Sequence, residues 1–143
     1  MNRREFEALR DLEGKSLRGD IRWESTPRTR PLRVFGPLTI DNALNLDLRV
    51  NGTFKPHIPS FSFNFVVVGV GPICRIDVNG LDHRGVGRTH KHDLQGEDDP
   101  RNNLPNAAVR TDLERMSPAQ VWKLLCRSAR IHHEGEFQDP MQD

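Results

Sequence analysis

The chain has 143 residues, 21 Lys+Arg against 20 Asp+Glu and a net charge of +1, a length that suits one domain able to bury about two thirds of its unfolded surface. Near-neutrality excludes a polybasic protein held to nucleic acid by bulk charge alone. The lack of Tyr excludes tyrosine nucleophiles and stacking platforms, and two cysteines, Cys74 and Cys126, with no C-x-x-C pair argue against a zinc finger or disulfide scaffold.

Phe6, Leu9 and Leu12 recur at helical spacing before Gly14, which predicts a short N-terminal helix. Residues 15–35 carry Arg18, Arg22, Arg28, Arg30 and Arg33 among Trp23, Pro27 and Pro31, and read as extended chain with a strand at Ile21–Glu24. Leu44–Val50 alternates apolar and polar residues strictly, the pattern of a half-buried strand, and Asn51-Gly52 after it is a turn signal. Ser60–Val68 alternates again and predicts a central strand with Phe61, Phe63, Phe65 and Val67 on one face. Gly69–Pro72 breaks it, and Ile73–Val78 is the next strand, ended by Asn79-Gly80. In the polar stretch 79–116, Arg88–Leu94 and Ala107–Arg110 supply two more strands, and Glu97-Asp98-Asp99 reads as a solvated loop.

Ser117 as N-cap, Pro118 at the first helical position and Gln120 closing a capping box predict a C-terminal helix to about Arg130. Val121, Leu124, Leu125 and Ser128 mark its core face. His132-His133 beyond it read as cations favoured by the helix dipole. The expected fold is α+β: an antiparallel meander of about four to six strands with the C-terminal helix packed on one face and a short N-terminal helix. A single domain is expected over 1–138 and a disordered tail over 139–143. No apolar run approaches the ~20 residues of a membrane span, and the opening Met-Asn-Arg-Arg-Glu-Phe-Glu has no signal-peptide core. A soluble, cytoplasmic protein without a cofactor is the expectation.

Chemistry concentrates between Arg75 and Asp93, where three of the six His stand among Arg, Lys and Asp. In a strand, Arg75 and Asp77 share the face opposite Cys74, Ile76 and Val78, and His90 and His92 likewise share a face. A hairpin closed by residues 79–87 brings Arg75, Asp77, His90 and His92 together, with His83 at the loop edge. Two chemistries suit that set. In metal-free RNA cleavage one His takes the ribose 2′-hydroxyl proton, another protonates the leaving oxygen, and a cation stabilises the phosphorane. In a metal site, His90 and His92 each give a nitrogen, with Asp77, His83 or Asp93 completing the shell. An ion pair along the strand is the plainer role for Arg75 and Asp77.

The same residues carry a family resemblance. Arg75-x-Asp77, Asn79-Gly80, His83 and Thr89-His90-Lys91-His92 resemble the pattern of small bacterial proteins of the TumE-like toxin group and related families in similar loci. The resemblance covers roughly residues 40–130, and its specific part is 75–92. It implies a toxin of a toxin–antitoxin pair that attacks RNA and is neutralised by a DNA-binding partner, with Arg75, Asp77, His83, His90, Lys91 and His92 as the positions carried over. Seventeen of the 21 basic residues are Arg, whose planar fork suits phosphate. Arg84, Arg88, Arg28, Arg30 and Arg33 join Lys91 as candidate RNA contacts on that reading. Two alternatives stand beside it: a phage or mobile-element protein that binds and inhibits a host defence complex, in the manner of an anti-CRISPR, and a metal-binding module without turnover.

Overall fold

Period-two alternation of apolar and polar residues builds most of this chain into sheet. The computed structural model describes residues 3–26, 31–58, 60–78, 90–93, 107–109 and 111–141. Seven strands pair antiparallel in chain order: β2 (Glu24–Thr26), β3 (Leu32–Ile40), β4 (Leu48–Lys55), β5 (Ser60–Val67), β6 (Gly71–Val78), β7 (His90–Asp93) and β8 (Ala107–Val109). A parallel pair joins β1 (Lys15–Arg18) to β9 (Ile131–Glu134). Helices α1 (Arg3–Asp11) and α2 (Pro118–Ser128) complete an α+β fold.

One face of the sheet is the core. Leu48, Val50, Phe54, Phe61, Phe63, Phe65, Val67, Cys74, Ile76 and Val78 are buried there. Trp23 meets Phe35 edge-on at 4.8 Å, Trp122 of α2 meets Phe63 at 5.5 Å, and Phe137 stacks on Trp122 at 5.8 Å. Burial of aromatic area of this size is the main stabilising term.

Helix α2 starts as its sequence dictates. Gln120 N–H donates to Ser117 Oγ (3.2 Å) and Ser117 N–H donates to Gln120 Oε1 (2.8 Å), so two otherwise orphaned amides are satisfied. It stops at Ser128, because Arg130 turns left-handed (φ 51°) and feeds β9. Helix α1 is capped from outside. The buried Lys15 Nζ donates to the carbonyls of Leu9 (2.6 Å), Arg10 (2.7 Å) and Leu12 (2.6 Å), which would otherwise be unpaired helix-end acceptors.

Four segments depart from expectation. The strand predicted from Leu44 begins at Leu48, because Asn42 gathers the preceding residues into a loop. Its Oδ1 accepts from the Leu44 and Leu46 amides, and Asn45 adopts φ 52°. Asn51-Gly52 is no turn but the middle of β4, with the Phe35 ring lying against Gly52 where a side chain would be. Residues Asp139 to Met141 are held in place: Arg33 Nη1 donates to Pro140 O (2.7 Å), and next to them Trp23 Nε1 donates to Gln138 O (2.8 Å). The strand expected at Ile21–Glu24 is a single parallel bridge from Ile21 to Phe137, followed by β2.

Candidate functional site

The face of the sheet away from the core carries the candidate chemistry. Burial of Cys74, Ile76 and Val78 fixes the parity of β6 and places Arg75 and Asp77 on that other face. Arg75 Nε donates to Asp77 Oδ1 at 3.0 Å. The Asp77 side chain is only 7% exposed, whereas that of Arg75 is 43% exposed. The buried carboxylate therefore anchors a guanidinium whose Nη groups reach solvent. Among the described residues neither Nη has a hydrogen-bond partner.

The ladder then brings in the histidines. Strand β7 pairs with β6 so that His92 stands opposite Arg75 and His90 opposite Asp77. Directly opposed residues of an antiparallel pair share a face, so the register unites Arg75, Asp77, His90 and His92 at neighbouring positions. Lys91 falls opposite Ile76, on the other parity. His83, Arg84, Arg88, Arg28 and Arg30 lie outside the described residues.

Strands β4 and β5 continue the same face, which the sequence reading did not single out. Ser62 opposes Asp77 and Thr53 opposes Ser62; Asn64 opposes Arg75 and Asn51 opposes Asn64. Two polar rows thus cross the sheet, Thr53–Ser62–Asp77–His90 and Asn51–Asn64–Arg75–His92. The signal was present as the polar half of the alternation, at the positions between the phenylalanines.

The described N-terminal arginines are placed elsewhere. Arg33 opposes Phe54 on the core side and holds Pro140. Arg10 pairs with Asp11, Arg22 with Asp20, and Arg18 lies 3.9 Å from Glu134. Strand β2, next to Arg22, is five strand spacings from β7, about 24 Å across the sheet.

His132 and His133 belong to β9 rather than to a helix end. Trp122 Nε1 donates to His133 Nδ1 (3.1 Å), and His133 Nε2 lies 2.8 Å from Gly19 O. An indole only donates, so His133 Nδ1 accepts this bond and the ring is held between Trp122 and Gly19. His57 is exposed in the turn after β4. Burial pushes the Cys126 thiol up to about 12, so it is no thiolate nucleophile. Among the described residues no group of three or more His, Cys, Asp or Glu could hold a metal ion, and no helix is long and apolar enough to cross a membrane. Comparison with protein-family models, with characterised proteins and with solved structures finds no match for this chain.

Proposed function

We propose that the protein is a metal-independent ribonuclease and acts as the toxin of a toxin–antitoxin pair. The observation that carries this reading is the β6–β7 register, which sets two histidines against an anchored Arg–Asp pair. The Arg75 fork faces the phosphate and balances charge on the pentavalent phosphorus. His92 removes the ribose 2′-hydroxyl proton, and the 2′-oxygen attacks phosphorus. His90 protonates the departing 5′-oxygen, leaving a 2′,3′-cyclic phosphate and a free 5′-hydroxyl. The roles are assigned by register, His90 standing opposite Asp77 and His92 opposite Arg75.

Cleavage of bulk RNA by the full chain, with and without EDTA, tests the reading beside His90→Ala and His92→Ala. Loss of about a hundredfold or more in each variant is expected, with EDTA having no effect. Equal cleavage by all three proteins would remove the histidines from the chemistry. The toxin reading further expects growth arrest on expression, relieved by a neighbouring gene product that binds the chain.

A further inference from the structure

We propose that the two polar rows are a recognition floor that reads a base beside the cleaved linkage by hydrogen bonds to its edge. This rests on the RNA-cleavage reading above and adds Asn51, Thr53, Ser62 and Asn64 to the site as specificity residues.

Residue choice is the first argument. Positions 51, 62 and 64 lie in β4 and β5, central strands of the sheet. Asn is depleted in strands, where β-branched and aromatic residues are favoured, yet it occupies both position 51 and position 64. Short neutral amides and hydroxyls instead make a low floor rich in donors and acceptors, continuous with Arg75 and Asp77.

Hydrogen bonding is the second. Thr53 Oγ1 and Ser62 Oγ are 2.8 Å apart, which orders both hydroxyls. The Asn64 Oδ1 is buried and has no hydrogen-bond partner among the described residues. A buried acceptor without a donor is costly and calls for one from outside. Asn64 stands directly opposite Arg75, so a nucleotide whose phosphate meets that guanidinium places its base beside the Asn64 position, where the carboxamide must turn outward to present this oxygen. An exocyclic amine or ring N–H supplies the missing donor.

The aromatic census is the third. Six of the seven Phe and Trp122 belong to the buried core cluster, Phe137 and Trp23 are partly buried against it, and there is no Tyr. Single-stranded RNA is commonly held by stacking bases on exposed aromatic rings. That mode has no Phe, Trp or Tyr to work with here. Edge hydrogen bonds are the recognition chemistry left, and they discriminate between bases far better than stacking does.

The test uses the full-length protein on an RNA oligonucleotide pool covering all dinucleotides. Wild type is expected to cleave beside a preferred base. Asn64→Leu, matched in size, and Ser62→Val are expected to fold like wild type by circular dichroism. They should raise KM on preferred sites about tenfold and flatten the preference, with kcat within about threefold. Ser62→Val carries the test alone should Asn64→Leu not fold. Unchanged preference and KM in the folded variants would overturn the proposal, as would cleavage by wild type without base preference. A wild type that neither binds nor cleaves RNA would instead remove the ribonuclease reading beneath it.

Discussion

Gly52→Ala isolates the contact that holds the aromatic core against β4. A β-carbon at position 52 would lie 2.8 Å from Phe35 Cδ1, 2.9 Å from Cζ and closer still to Cε1, where carbon–carbon contacts settle at about 3.5–4.0 Å. The ring must therefore move by about an ångström. It has little room, being met edge-on by Trp23 at 4.8 Å and by Trp122 at 5.8 Å, with Phe63 at 6.1 Å. Overpacking of this kind costs about 3 kcal/mol, and the better strand entropy of Ala returns about 0.5–1 kcal/mol. The net expectation is a loss of about 2 kcal/mol, or a fall in Tm of about 6 °C for a chain of this size. Urea unfolding followed by circular dichroism measures it. Phe35→Leu removes the obstructing ring edge, so the double variant should be more stable than the two single losses predict, by about 1 kcal/mol or more. A Gly52→Ala protein within 0.5 kcal/mol of wild type, or a strictly additive cycle, would refute the argument.

Three other expectations follow from the interior and from the start of α2. Burial pushes the Lys15 ammonium down to about 8 from an ordinary value of 10.5, so between those values the unfolded chain binds more protons. Stability should rise with pH through that window relative to Lys15→Met, and parallel pH curves for the two proteins would show that the lysine is not desolvated. Cys126, with its thiol pushed up to about 12, should resist iodoacetamide at pH 8–9 until urea unfolds the chain; because the unfolded thiol ionises first, this group lowers stability as pH climbs above about 9. Ser117→Ala breaks the capping box and should cost about 1 kcal/mol, with Gln120→Ala adding less to it than it costs alone, since the two bonds are reciprocal; additive losses would mean the cap acts as two separate contacts.

Elements whose determinants lie within a few residues were legible in the sequence, and those made by distant pairing were not. Strand β5 alternates over its own length, and α2 carries its cap, proline and apolar stripe in one stretch. Lys15–Arg18 shows no such pattern. It becomes a strand because residues 131–134 lie parallel to it, more than a hundred positions away. Leu44 and Leu46 continued the alternation of β4 on paper, yet the Asn42 side chain competes for their backbone and leaves Leu44 58% exposed. Asn51-Gly52 misled for a different reason. The glycine answers a steric demand from Phe35, a residue of another strand, and so says nothing about a turn.

The site divides along the same line. A slip of one residue between β6 and β7 would set His90 and His92 against apolar partners; the apolar parity of Cys74, Ile76 and Val78 put Arg75 and Asp77 on the other face, but the pairing of His92 with Arg75 and of His90 with Asp77 is fixed by the fold and not by that parity. The remote arginines gave no comparable clue, since their place depends on strand order. With β2 at one end of the sheet, Arg33 spent on Pro140, and Arg10, Arg18 and Arg22 beside carboxylates, the proposed ribonuclease reading leaves phosphate contact, among the described residues, chiefly to Arg75 and one histidine. Two such contacts on a single strand release few counterions, so log Kd for a short RNA should change with log salt at a slope near 1.4. Fluorescence anisotropy of a labelled oligonucleotide between 50 and 300 mM KCl would measure this. Arg75→Gln should lower the slope by about 0.7, whereas a wild-type slope of 4 or more would move RNA binding from this face to the Arg-rich N-terminal segment.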